Sequence, residues 1–201
     1  MYAVLSDACS AGRGNVETAR LLLEAGVKII QYREKGFPMR QKYAECMAIN
    51  QLCREHDACF IVNDDAGLAV ACDADGLHLG QDDIPPEVAR KVIGEDMILG
   101  LLVTTPDEVD RAVKNPAIDY LGVGPIFATA TKPDAAAPGG IGLLEFALAR
   151  SPLPIVAIGG INRNNVGLLA GCGAKCCAII SDLIGAGDVA QRVSDLRKAA
   201  R

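Results

Sequence analysis

The sequence lacks several features that would place it in a special class of protein. It has no tryptophan, only two histidines, and no pair of cysteines spaced as Cys-x-x-Cys. A zinc site is therefore poorly supplied with ligands. No stretch approaches the apolar length needed to span a bilayer, so we expect no membrane partner. The net charge of −5 argues against a nucleic-acid partner.

The chain start and the cysteines indicate the compartment. Residues 1–7 have neither a basic n-region nor a long apolar h-region, so we predict a first strand there and not a signal peptide. The eight cysteines are interpreted as reduced and mostly buried small hydrophobes. These features predict a cytoplasmic protein that acts on small molecules. The sequence leaves the formation of a homo-oligomer open.

Strand and helix patterns alternate along the chain, and no Pro/Ser-rich linker divides it. The strands are predicted at residues 2–5, 28–32, 60–62, 74–79, 97–102, 120–123, 155–158 and 177–180. Eight such strands, each followed by a helix, predict one α/β domain over residues 1–201, a (β/α)8 TIM barrel with its site at the carboxyl rim of the strands. A doubly wound sheet is the alternative. No Gly-x-Gly-x-x-Gly follows the first strand, which counts against that fold and against a dinucleotide oxidoreductase.

Two consecutive predicted strands end in carboxylates, at residues 63–65 and 80–83. Because all strand ends of a parallel barrel share one rim, we expect Asp64 and Asp83 to face each other. Two carboxylates there suit Mg²⁺, which usually takes one or two of them together with substrate phosphate oxygens. In the alternative, Asp64 or Asp65 merely caps the next helix and residues 80–83 form a plain turn.

The second strand ends in a cationic segment. Gln31, Arg33 and Lys35 share one face of an extended strand because side chains alternate along it. An arginine fork and a lysine point charge at a barrel mouth indicate an anion site, most simply for phosphate oxygens. The alternative is a solvated turn in which Glu34 pairs with one of the two cations.

Three later loops complete the predicted rim. The long loop after the sixth strand carries Thr129, Thr131 and Lys132, and its length suggests a lid. Residues 159–160 and 180–182, after strands seven and eight, predict a phosphate cradle. The alternatives are a loop without a role and a left-handed corner next to an N-cap serine. A metal pair, a cationic cluster and a separate cradle together imply a diphosphate and a monophosphate.

At this point the chain resembles the thiamine phosphate synthase (thiamine-phosphate pyrophosphorylase) family. Five motifs carry the resemblance, in family order over almost the whole chain. They are Gln31-Tyr-Arg-Glu-Lys35, Asn63-Asp-Asp65, Gly76-Leu-His-Leu-Gly-Gln-Asp-Asp83, Gly124-Pro-Ile-Phe-Ala-Thr-Ala-Thr-Lys132 and Ala157-Ile-Gly-Gly-Ile161. The resemblance implies a Mg²⁺-dependent transferase of thiamine biosynthesis. It would join an aminopyrimidine bearing a diphosphooxymethyl group to a thiazole phosphate, with dissociative loss of pyrophosphate.

The resemblance also implies a set of site residues. The pyrimidine diphosphate would be bound by Gln31, Arg33, Lys35, Asn63 and Lys132. Magnesium would be held by Asp64 and Asp83. The thiazole phosphate would be bound by Thr129, Thr131, Gly160, Ile180 and Ser181. Lys132, Arg33 and Lys35 would be catalytic, because they neutralise the charge that grows on the leaving group.

One departure from the family pattern concerns the end of strand five. The family usually has a serine there, and Leu102 falls on that position, so the serine hydroxyl is either missing or supplied by Thr104 or Thr105.

Two other functions are alternatives to this transferase. A thiazole tautomerase of the same family would need neither the acid pair nor the full cationic cluster. A non-catalytic protein that binds thiamine precursors would bind the diphosphate without turnover.

Overall fold

The computed structural model describes residues 1–129, 131 and 136–200. Its strands are β1 (Tyr2–Leu5), β2 (Ile29–Tyr32), β3 (Cys59–Asn63), β4 (Gly76–Leu79), β5 (Ile98–Val103), β6 (Tyr120–Val123), β7 (Ile155–Ile158) and β8 (Cys176–Ile179). Its helices are α1 (Asn15–Glu24), α2 (Met39–Glu55), α3 (Ala66–Ala71), α4 (Pro86–Ile93), α5 (Pro106–Ala112), α6 (Gly140–Arg150), α7 (Val166–Gly171), α8 (Ser181–Ile184) and α9 (Val189–Ala199), and a short 3₁₀ turn spans Asp7–Cys9.

The eight strands form a closed parallel barrel in chain order, and β1 pairs with β8 to complete it. The (β/α)8 barrel predicted from the alternation of strand and helix patterns is confirmed. The helices cover the outside of the strands, which is why the strands lack the polar alternation of a half-exposed sheet. None of the helices among the described residues is long and apolar enough to cross a membrane.

The core has two parts, because alternate side chains of each strand point to opposite faces. The larger part lies between strands and helices and includes Leu77 and Leu79 of β4. The smaller part fills the barrel interior and is built from Tyr2, Val4, Ile61, Tyr120, Val156 and Ala178. Its two buried tyrosines bring polar groups into an otherwise apolar layer.

Glycine makes room for rings inside the barrel. Gly100 of β5 pairs with His78 on one side and with Tyr120 on the other. The ring of Tyr120 lies over Gly100 and stacks on the ring of His78, with ring centroids 5.4 Å apart. A Cβ at Gly100 would lie 2.1 Å from Cζ of Tyr120, so no other residue fits here without displacing that ring.

Two helices border the rim of the barrel. After the long loop that follows β6, α6 begins at Gly140 and runs to Arg150. The segment after strand eight, predicted as a loop with an N-cap serine as its alternative, is the four-residue helix α8, with Ser181 as its first residue. Leu183 and Ile184 of α8 are fully buried, so burial of these two side chains holds the turn helical.

Candidate active site

A cavity of about 850 Å³ opens at the carboxyl rim of the barrel. The predicted site residues that the structure describes all line it, although they come from six different strand ends. These are Gln31, Arg33, Lys35, Asn63, Asp64, Asp83, Thr129, Thr131, Gly160, Ile180 and Ser181. Lys132 lies outside the described residues. Long-range convergence of this kind is what the barrel topology predicts for strand-end residues.

The two neighbouring aspartates after β3 have different functions. Asp65 is the N-cap of α3, and its side chain accepts a hydrogen bond of 2.8 Å from the backbone N–H of Leu68. Asp64 has a left-handed backbone conformation with φ of 64°. Residues other than glycine rarely adopt this conformation, and those that do are frequently found at functional sites. Its carboxylate lines the cavity and forms an ion pair with Lys35. Helix capping therefore accounts for Asp65 and leaves Asp64 to the cavity.

Asp83 approaches the same position from the next strand end. Its carboxylate accepts a hydrogen bond of 2.7 Å from the backbone N–H of Gly80, which fixes it at the rim. Burial raises the pKa of Asp83, and the adjacent carboxyl of Asp64 raises it further. Two neighbouring carboxylates repel each other when both are ionised. Their oxygen atoms are the kind of ligand that a hard divalent cation prefers.

The cationic segment after β2 does not neutralise itself internally. Glu34, which could have paired with its neighbours, accepts hydrogen bonds from the backbone N–H of Asp7 and from Asn15 instead. The alternative of a solvated turn with Glu34 as the counter-ion is therefore wrong. The guanidinium of Arg33 lines the cavity and makes no hydrogen bond within residues 1–129, 131 and 136–200.

The rim formed by β7 and β8 presents backbone and hydroxyl groups. Gly159 and Gly160 have φ of 101° and 63°, and a Cβ at Gly160 would lie 2.4 Å from the carbonyl oxygen of Ala128. Glycine is therefore required where this loop packs against the loop after β6. Asp182 lies beside Ser181. Nη1 of Arg192 donates hydrogen bonds to the carboxylate of Asp182 and, at 2.7 Å, to its carbonyl oxygen. These contacts fix the loop that carries Ser181.

The end of β5 shows what replaces the usual serine of the family pattern. The side chain of Leu102 lines the cavity, and its carbonyl oxygen accepts a hydrogen bond of 2.6 Å from Gln81. The hydroxyl of Thr104 donates to Glu108 at 3.0 Å, and the backbone N–H of Thr104 donates to the same oxygen. Thr104 therefore does not present a spare donor in place of the missing serine.

Gln81 and His78 are among the cavity residues for which the sequence predicted no function. Gln81 reaches across the rim to β5, and His78 lies on the cavity floor with Nδ1 2.9 Å from the hydroxyl of Tyr120. A signal for His78 was present in the run Gly76-Leu-His-Leu-Gly80. Strand alternation turns its leucines outward to the helices and its histidine inward.

Comparisons with known proteins agree with this geometry. The model of the family described as thiamine monophosphate synthase matches residues 1–183. The thiamine-phosphate synthase of Pelotomaculum thermopropionicum is 46% identical over 98% of this chain and 90% of its own length, and that of Lawsonia intracellularis is 42% identical over 99% and 91%. A solved structure of thiamine phosphate pyrophosphorylase from Pyrococcus furiosus aligns with a TM-score of 0.90 at 37% identity, covering 99% of this chain and 94% of that one. The resemblance predicted from the five motifs is confirmed, and the chain belongs to the thiamine monophosphate synthase family.

Proposed function

We propose that this enzyme joins an aminopyrimidine bearing a diphosphooxymethyl group to a thiazole phosphate, and so makes thiamine phosphate and pyrophosphate. The observation that carries the proposal is that two sides of one cavity present different chemical groups. Cations and paired carboxylates line the β2–β4 side, whereas glycine backbone and a serine hydroxyl line the β7–β8 side. A diphosphate suits the first and a monophosphate the second.

Arg33 and Lys35 are the residues proposed to stabilise the departing diphosphate. The guanidinium of Arg33 offers parallel N–H donors to phosphate oxygens, and Lys35 is held close by its ion pair with Asp64. Asn63 and Gln31, both cavity residues, would add neutral hydrogen bonds to the same substrate. The family pattern assigns Lys132 to this group as well, and its function stays a prediction from the sequence.

Asp64 and Asp83 are proposed to hold Mg²⁺. Burial raises the pKa of Asp83 and the adjacent carboxyl of Asp64 raises it further, and a divalent cation held by these two residues would offset their negative charge. When bound, the ion supplies positive charge to the diphosphate oxygens. The ion pair between Lys35 and Asp64 keeps this ammonium group beside the carboxylates that would hold the ion.

The proposed reaction needs no protein nucleophile. The bond between the methylene carbon and the diphosphate oxygen breaks, and its electron pair leaves with pyrophosphate. The thiazole nitrogen then donates its lone pair to the methylene cation, and the positive charge ends on the thiazolium ring without any proton transfer. The enzyme's contribution is positioning of the two substrates and electrostatic stabilisation of the leaving group.

Thr129, Thr131, Gly160, Ile180 and Ser181 are proposed to bind the thiazole phosphate. Thr129 accepts a hydrogen bond of 3.2 Å from the backbone N–H of Thr131, which keeps the two threonines together at the cavity wall. After β8, Ser181 is positioned by the Arg192–Asp182 contacts. A phosphate held by such neutral donors is a spectator group, bound similarly in substrate and transition state.

The test is a coupling assay on purified protein with both substrates, in Mg²⁺ and in excess chelator. We expect thiamine phosphate and pyrophosphate in equal amounts in Mg²⁺ and a loss of more than tenfold in chelator. Asp64→Asn and Asp83→Asn should each lower turnover and weaken the response to Mg²⁺. Asp96→Asn, at an exposed position away from the cavity, is the matched control.

Three outcomes would contradict the proposal. Full activity in chelator would remove the function assigned to the carboxylate pair. Conversion of a thiazole phosphate isomer without any pyrimidine diphosphate would favour the tautomerase, and tight binding of the diphosphate without turnover would favour a binding protein.

A further inference from the structure

A continuous chain of four hydrogen-bonded side chains crosses the barrel interior below the cavity. Nε2 of Gln31 donates to the hydroxyl of Tyr2 at 2.7 Å, the hydroxyls of Tyr2 and Tyr120 are 3.0 Å apart, and the hydroxyl of Tyr120 is 2.9 Å from Nδ1 of His78. All four side chains are at least 91% buried, since their exposed fractions are 3%, 3%, 8% and 8%. Buried polar groups that satisfy one another in this way hold a single arrangement.

The two ends of the chain line the cavity, whereas the two tyrosines do not. Gln31 and His78 belong to the cavity lining. Below them, a void of only about 10 Å³ is left between Tyr2 and Tyr120. No substrate group fits into so small a space, so Gln31 and His78 form the floor that a ligand meets.

Such a chain has two directions, and each fixes what both ends present to the cavity. With the amide of Gln31 donating to Tyr2, the hydroxyl of Tyr2 donates to Tyr120, and the hydroxyl of Tyr120 donates to Nδ1 of His78. The imidazole then carries its proton on Nε2. In the opposite direction each hydroxyl rotates, the amide of Gln31 turns over and the imidazole carries its proton on Nδ1. The number of protons is the same in both directions.

We propose that Tyr2 and Tyr120 are positioning residues that couple the amide orientation of Gln31 to the tautomer of His78. When the amide of Gln31 donates to the hydroxyl of Tyr2, the floor presents an acceptor, Oε1 of Gln31, and a donor, the Nε2–H of His78. The inference rests on the proposed function for its ligand. An aminopyrimidine carries ring-nitrogen acceptors beside an amino donor, and such an alternating edge needs one acceptor and one donor together.

The surroundings of His78 support a neutral imidazole with a defined tautomer. The side chain of His78 is 8% exposed and its Nδ1 is hydrogen-bonded to the hydroxyl of Tyr120, an environment that disfavours a charged ring. Its stacking on Tyr120 and the closeness of Gly122, where a Cβ would lie 3.0 Å from Cε1 of the histidine, leave the ring little room to turn. A fixed ring makes its tautomer depend on the hydrogen bond at Nδ1.

The first test reads the tautomer directly and needs no substrate. The chain has two histidines, so a sample labelled with ¹⁵N-histidine gives two imidazole signals, and His78→Gln assigns them. We expect His78 to be protonated on Nε2 in the wild type. In Tyr2→Phe, which does not touch His78, the Nδ1–H form should become populated, because Tyr120 can then either donate or accept.

The control and the second variant keep this test decisive. Tyr32→Phe removes another buried tyrosine hydroxyl, one that donates to Glu45 outside the barrel interior, and should leave the His78 signals unchanged. If Tyr2→Phe does not fold, Gln31→Met removes the same end of the chain without altering the tyrosine ring. His78 signals identical to the wild type in a folded Tyr2→Phe or Gln31→Met protein would overturn the coupling.

The second test is kinetic. Tyr2→Phe should lower kcat/KM for the pyrimidine diphosphate by about 3- to 10-fold, which corresponds to the loss of one buried hydrogen bond. The KM for the thiazole phosphate should stay at the wild-type value, and an equal rise for both substrates would contradict a specific positioning effect. If the wild type itself fails to couple the two substrates, the proposed function fails, while the tautomer measurement still decides whether the chain is coupled.

Discussion

Gly100→Ala is expected to destabilise the barrel from its centre. The new methyl carbon would lie 2.1, 2.3 and 2.5 Å from Cζ, Cε1 and the hydroxyl oxygen of Tyr120, whereas carbon atoms in contact are about 3.5–4.0 Å apart. The ring must therefore move by more than about 1 Å. The hydroxyl of Tyr120 is hydrogen-bonded to both Tyr2 and His78, so such a movement breaks two buried hydrogen bonds.

The magnitude follows from three contributions. Overpacking of a well-packed core costs about 1–3 kcal/mol. Each lost hydrogen bond costs about 1 kcal/mol. Replacing glycine by alanine restricts the unfolded chain and returns about 0.4–1 kcal/mol. We therefore expect the free energy of unfolding to fall by roughly 2–4 kcal/mol, and the pyrimidine diphosphate to be used less efficiently.

The assay is urea denaturation followed by far-ultraviolet circular dichroism, since the chain has no tryptophan. Gly142→Ala in α6 is the control, because a Cβ there meets no atom within 4 Å, and it should be stabilising by up to about 1 kcal/mol. In a Tyr120→Leu background the cost of Gly100→Ala should largely vanish. Wild-type stability of Gly100→Ala, or an unchanged cost in that background, would refute the reasoning.

Three further predictions concern other positions. Leu102→Ser should raise kcat/KM for the pyrimidine diphosphate by about ten- to a hundredfold, because the hydroxyl of Thr104 donates to Glu108 and so cannot supply the missing hydrogen bond. An unchanged rate in steady-state kinetics would show that the end of β5 does not contact the substrate. Ser181→Ala should raise KM for the thiazole phosphate about tenfold with little effect on kcat, and the opposite split would contradict a spectator phosphate. Arg90→Met should lower the free energy of unfolding by about 2–4 kcal/mol in urea, because it leaves buried carbonyl groups without a donor, whereas the exposed Arg40→Met should change it little.

Local patterns were sufficient for the architecture and for most of the rim. Each strand is a short apolar run followed by a helical pattern, and that alternation alone predicts parallel strands with covered faces. The strand ends then converge by topology, which is why residues as far apart as Arg33 and Ser181 could be assigned to one cavity before any contact was known.

Tertiary structure was needed wherever two adjacent residues compete for one function. The sequence could not say whether Asp64 or Asp65 caps α3, since either carboxylate fits the spacing. The backbone decides it, because Asp65 accepts the N–H of Leu68 while the left-handed conformation of Asp64 turns that residue toward the cavity. The partner of Glu34 could not be predicted from the sequence either, because it is Asn15, which lies nineteen residues earlier in the chain.

No local pattern indicated that Gln31, Tyr2, Tyr120 and His78 form one hydrogen-bonded chain. Its members come from four strands, and their separations along the chain of 29, 118 and 42 residues carry no periodicity. The sequence by itself determined that each strand sends alternate side chains inward. Only the tertiary structure decided that these polar groups meet, because the closed barrel pairs β1 with β8 and Gly100 leaves room for the ring of Tyr120.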